Sequence, residues 1–128
     1  MHGTGTVEER TVSSRIMIVE DERIVALDLA QNLESFGHEV VAVAASGEQA
    51  IAEAARHVPD LIFMDIHLQG AMDGTEAALC IRDKLQIPVI FLTAFTEDRI
   101  LERAEASVPY GYLVKPVDSR ELGATLRM

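Results

Sequence analysis

Four short apolar runs in this chain each stop at a polar group: Ile16-Met17-Ile18-Val19 at Glu20, Leu61-Ile62-Phe63-Met64 at Asp65, Pro88-Val89-Ile90-Phe91-Leu92 at Thr93, and Tyr112-Leu113-Val114 at Lys115. Unbroken apolar runs of this length read as strands covered on both faces, the pattern of a parallel sheet. A fifth strand is expected at 39–45, EVVAVAA. Between the runs the apolar spacing turns helical. Val25, Leu29, Leu33 and Phe36 share one face of a helix that opens near Arg23 and stops at Gly37. Ser46 caps a second helix with Ala50, Ile51, Ala54 and Val58 as its buried stripe, and Pro59 marks its end. Asp73-Gly74-Thr75-Glu76 opens a third, carrying Ala77, Ile81 and Leu85. A short fourth helix is expected at 97–106, a turn at Val108-Pro109-Tyr110-Gly111, and a last helix from Ser119 with Gly123 inside it. Five strand-helix alternations with right-handed crossovers predict an α/β fold: a doubly wound five-stranded parallel sheet with helices on both faces.

The 128 residues suffice for one domain that buries roughly two-thirds of its unfolded surface. Residues 15–128 are expected to form it, after a flexible leader, 1–14, rich in Gly and Thr. The last helix looks unfinished, so a longer native chain is expected. A net charge of -10, from 11 basic and 21 acidic residues, is unfavourable for direct binding to a nucleic-acid backbone. No apolar run approaches the roughly 20 residues of a membrane helix, no signal peptide opens the chain, and a cytoplasmic location is expected. The single cysteine, Cys80, excludes an intrachain disulfide and reads as core filler in a helix.

In an open α/β sheet, ligands bind at the carboxyl ends of the strands. That edge collects Glu20 and Asp21 from the first strand, Asp65 from the third, Thr93 from the fourth and Lys115 from the fifth. Singly, each has a bland explanation: a turn-favouring Asp, a strand-ending Thr, a solvated Lys before Pro116. Together they form a coherent set. Three close carboxylates suit a hard cation such as Mg²⁺. An Asp beside Mg²⁺ can attack phosphorus as a nucleophile, while a lysine and a hydroxyl meet the charge on the phosphoryl oxygens. His67, two residues past Asp65, is a lone loop histidine of the kind that usually faces solvent. His2, His38 and His57 are scattered.

The motifs IMIVEDE at 16–22, LIFMD at 61–65, DG at 73–74, IPVIFLTA at 87–94 and YGYLVKP at 110–116 together resemble the receiver domain of two-component response regulators, the CheY-like family. The resemblance runs from about Ser14 to Met128. It implies a flavodoxin-like three-layer sandwich with strand order 2-1-3-4-5, and the following roles. Asp65 is the phosphoacceptor, charged by a sensor histidine kinase or phosphotransfer protein. Asp21 is a direct Mg²⁺ ligand, Glu20 acts through a metal-bound water, and His67 contributes its backbone carbonyl. Thr93 and Lys115 sense the phosphoryl group, and Tyr112 reports the state of Thr93. The Lys115-Pro116 peptide is cis. Phosphorylation then resets the surface of the fourth helix, fifth strand and last helix, which faces a downstream output and a possible homodimer partner. Such a domain is a switch, catalysing only its own phosphorylation and dephosphorylation.

The chain departs from this pattern twice. Asp65 stands eight residues before Asp73 where the family has seven, and the intervening loop reads His-Leu-Gln-Gly-Ala-Met without the usual Pro. Phe95, two residues past Thr93, adds an apolar group that could shield an acyl phosphate from water. Two rival readings exist. A haloacid-dehalogenase-type phosphatase wants a second Asp two residues past its nucleophile, but His67 stands there. A degenerate receiver acting as a constitutive binding module would lack part of the acid, Thr and Lys set, and all of it is present.

Overall fold

Strand β1, Arg15–Val19, is buried at every position after its first, so its side chains must be apolar on both faces. The computed structural model describes residues 13–93, 111–115 and 117–126. The expected leader up to residue 12, the fourth helix at 97–106, most of the 108–111 turn, Phe95 and the Lys115-Pro116 peptide lie outside the described residues. The remaining elements alternate as the periodicity requires: α1 Arg23–Ser35, β2 Glu39–Ala44, α2 Gly47–His57, β3 Leu61–Asp65, α3 Gly74–Leu85, β4 Val89–Thr93, β5 Gly111–Val114 and α4 Ser119–Leu126. All four strand pairs are parallel, in the order β2-β1-β3-β4-β5. This is the flavodoxin-like, CheY-like α/β architecture. The winding direction reverses between β1 and β3, which opens a crevice at their carboxyl ends.

Alternation along the strands divides the interior into two cores. Met17, Val19, Ile62, Met64, Val89 and Phe91 face α2 and α3, whose Ala50, Ala54, Ala77, Ala78 and Ile81 close that side. Ile16, Ile18, Phe63, Ile90, Leu92 and Leu113 face α1 and α4, covered by Ala26, Leu29, Leu33 and Leu122. Each large side chain withdrawn from water in this way contributes about 1.5–3 kcal/mol. The small residues on α2 and α3 let those helices lie close to the sheet.

The helix boundaries have local causes. Ser46 caps α2 by accepting the Gln49 amide, as the sequence predicts. Asp73 and Glu76 form a reciprocal capping box at the start of α3. Two apolar stripes differ from expectation. On α1 the expected Leu29 and Leu33 are buried together with Ala26, while Val25 and Phe36 are only partly buried. Val58 is not part of the α2 stripe: it follows the helix as a left-handed cap with φ 44° and is half exposed. Its carbonyl accepts from the Arg15 guanidinium, and Asp60 exchanges hydrogen bonds with the Arg15 backbone.

A β-branched residue is costly in that region. Val58→Gly is therefore expected to raise the unfolding free energy by about 1 kcal/mol, read as a higher urea midpoint at unchanged slope. An unchanged or lower midpoint would mean that the turn carries no strain at Val58.

Candidate functional site

The side chains at the carboxyl edge meet because of strand parity. Glu20 continues β1 by donating its amide to the Ala44 carbonyl, one step past the Val19–Met64 pair, so it stands beside Asp65. Glu20, Asp65 and Lys115 share the parity of Ile18, Phe63 and Leu113, which face α1 and α4. They converge. The Lys115 ammonium donates to Glu20 Oε1 at 2.9 Å and to Asp65 Oδ2 at 3.1 Å. Its backbone amide donates to the Thr93 carbonyl at 2.7 Å, which fixes where the side chain starts.

The remaining carboxylate oxygens are also committed. Glu20 Oε2 accepts the Glu22 amide at 3.0 Å, at the N-terminus of α1, where the helix field favours negative charge. Asp65 Oδ1 accepts the His67 amide at 3.1 Å. The Glu20 side chain is wholly buried and that of Asp65 is 5% exposed, so neither charge would be tolerable without such partners. Burial opposes the charge on Lys115, but the hydrogen bond to Glu20, the charge of Asp65 and the hydrogen bond to it outweigh burial. The lysine pKa is accordingly held above its ordinary 10.5.

Asp21 is partly buried, and one oxygen from each of Glu20, Asp21 and Asp65 lies within 4.8 Å of the others. An all-oxygen set of this size fits a hard divalent cation. The position of Lys115 supports that fit, since a cationic group already lies between two of the three acids.

Thr93 is buried at the end of β4, one residue past Leu92, the register partner of Asp65. It has the parity of Phe91, whose ring stacks on Tyr112 with centroids 6.1 Å apart. Thr93 and Tyr112 therefore lie toward the α2/α3 side of the sheet, opposite the parity of Lys115. His67 is exposed, as expected of a loop histidine, and its contact with Asp65 is through the backbone.

Two site features were not predicted. Gly74 donates its amide to the Ile66 carbonyl at 2.9 Å, and a methyl group on its Cα would overlap the Asp65 carbonyl. The Asp-Gly pair at 73–74 was legible as a helix start, but its approach to the Asp65 backbone was not. The second is the anchoring of the long loop that follows Asp65: Ile66 and Leu68 enter the α2/α3 core and Met72 packs against it. Gly70, at φ 105°, supplies the backbone turn between the last two.

A doubly wound sheet of this order, with three acids and a lysine gathered at its carboxyl edge, defines the CheY-like class. The sequence pattern of the response regulator receiver domain matches residues 16–127, and the chain belongs to that family. It is 38% identical over 122 residues to the transcriptional regulatory protein PdtaR of Mycobacterium tuberculosis, covering 95% of this chain and 59% of that protein. It is 36% identical over 115 residues to the response regulator VraR of Staphylococcus aureus, covering 88% and 54%. The chain thus spans less than two-thirds of the length of these relatives. Among solved structures, it is similar to the signal receiver domain of a modulated diguanylate cyclase from Desulfovibrio desulfuricans G20, with a TM-score of 0.86, 37% identity and coverage of 91% and 93%. It is also similar to the response regulator PhyR from Brucella abortus, with a TM-score of 0.77, 31% identity and coverage of 95% and 49%.

Proposed function

We propose that Asp65 accepts a phosphoryl group from a phosphohistidine on a sensor histidine kinase or phosphotransfer protein. The observation that carries this reading is the contact of one ammonium, Lys115 Nζ, with both Asp65 and Glu20. A lone strand-end Asp has no need of a buried counter-ion. In the transfer the phosphorus–nitrogen bond breaks, a bond forms between phosphorus and an Asp65 oxygen, and the leaving imidazole takes up a proton. Lys115 then pairs with a phosphoryl oxygen, and the Thr93 hydroxyl binds another. Glu20, Asp21, Asp65 and the His67 carbonyl would hold Mg²⁺, which offsets the negative charge brought together by acid and phosphate.

The charge added at Asp65 draws Thr93 toward it. Tyr112, on the same face of the sheet, follows, and the surface around β5 and α4 changes its preference for an output domain, a separate output protein or a second copy. The domain acts as a switch and not as an enzyme with an external product. No described helix is long and apolar enough to cross a membrane, and a cytoplasmic site of action suits a kinase partner.

Intact mass after incubation with acetyl phosphate and Mg²⁺ tests the reading. One phosphoryl adduct is expected, labile to hydroxylamine and absent from Asp65→Asn and from a chelated sample. An adduct that persists in Asp65→Asn would overturn the assignment, as would folded, Mg²⁺-binding protein that stays unmodified by both acetyl phosphate and a phosphorylated histidine donor.

A further inference from the structure

The loop between β3 and α3 is closed on itself by the Gly74 amide on the Ile66 carbonyl, so residues 67–73 form a pinched excursion beside Asp65. Two apolar side chains plug it into the protein. Leu68 is 9% exposed and belongs to the core; Met72 is partly buried and reaches the first residue of α2. There, a Cβ built on Gly47 would lie 2.9 Å from Met72 Cγ and 3.1 Å from its sulfur. The thioether lies directly over the bare Gly47 backbone, in space that any side chain at 47 would take.

Between the plugs, Gln69, Gly70 and Ala71 are exposed, and a Cβ at Gly70 would find only Glu48 Oε1 within 4 Å. The outer part of the loop is therefore held chiefly through its ends. His67 lies next to the first plug, and its amide is the donor to Asp65 Oδ1.

We propose that Met72 is a positioning residue for Asp65: seated on Gly47, it fixes the far end of the loop and so keeps the His67 amide on the Asp65 carboxylate. This deepens the phosphoacceptor reading and rests on it for its consequence, though not for its geometry. The eight-residue spacing acquires a physical role: Lys115 holds Asp65 Oδ2, the loop holds Oδ1 through the His67 amide, and Met72 steadies that second hold.

The test uses Met72→Ala, which empties the seat, Met72→Leu, which refills it, and Gly47→Ala, which blocks it from the other side. Two readouts are needed. The first is hydrogen exchange of the His67 amide, with the Ile66 amide, bonded to the Leu92 carbonyl, as an internal reference. The second is the first-order rate of adduct formation at saturating acetyl phosphate and Mg²⁺. Met72→Ala and Gly47→Ala are expected to speed His67 exchange several-fold, leave Ile66 unchanged, and slow adduct formation on the order of tenfold, as a sub-ångström misplacement can. Met72→Leu should restore both. Unchanged His67 exchange in Met72→Ala would overturn the proposal, and so would exchange that rises equally at Ile66, since that marks general loosening. If folded wild-type protein forms no adduct with either acetyl phosphate or a phosphorylated histidine donor, the phosphoacceptor reading fails, while the exchange data still decide the positioning claim.

Discussion

Lys115→Met is expected to lower the unfolding free energy in metal-free buffer by about 3–5 kcal/mol, the usual cost of removing one partner from a buried charge group. The variant keeps the length of the stem but leaves Glu20 and Asp65 side by side without a counter-ion. Mg²⁺ should return part of the loss, because a ligand that binds only the folded state stabilises it. The gain in melting temperature on adding Mg²⁺ is therefore expected to be larger in the variant than in wild type, where the ammonium must first give up its place. The pH dependence follows from the raised lysine pKa. The contribution of the ion pairs is fully present below the ordinary lysine pKa of 10.5 and is lost as pH rises through the higher folded-state value. Wild type should lose this increment above pH 10.5 and the variant should not. Equal stability of the two proteins at neutral pH without metal would mean that the triad is not coupled.

The second large effect is expected at Gly74. Gly74→Ala puts a methyl group into the Asp65 carbonyl and 3.0 Å from Ile66 Cα, both of them backbone and unable to rotate away. Strand or helix must shift, at a cost of about 3 kcal/mol. Because the shift acts on Asp65, the proposed phosphoacceptor, adduct formation should fall with stability, measured as urea midpoint and mass shift on the same samples. Gly37→Ala is the control. Gly37 has φ 90° but nothing within 4 Å of a built Cβ, so its replacement meets conformational strain without collision and should cost about 1 kcal/mol. If the two variants lose the same stability, the close approach at Gly74 is not the cause.

Local chemistry made much of this fold legible. The doubly covered strands announced themselves as unbroken apolar runs, and Ser46, Gly37 and Pro59 marked helix ends by their own backbone and hydrogen-bonding preferences. The winding order was not encoded locally; it came with the resemblance, and the pairing of β1 with both β2 and β3 bears it out. Val58 shows the limit of periodicity: its spacing continues the α2 stripe, but the helix ends one residue earlier and turns the side chain outward. Val25 is similar, since its neighbour Ala26 is the buried residue in the first turn of α1. At the site, residue types and order picked out the carboxylates and Lys115 that the strand ends bring together. The overlap at Gly74 and the Met72 seat depend on contacts between separate segments, which no local pattern records.

The span of the Lys115 contacts also bears on how the protein is made. Its ammonium meets Glu20 across 95 residues and Asp65 across 50. A chain emerging from the ribosome can form β1, β2 and β3 and bring the two acids together well before residue 115 exists. Until then their mutual repulsion works against closing that edge of the sheet, and the arrival of β5 releases it. The charge centre is therefore completed only when β5 has joined the sheet and brought Lys115 to the two acids.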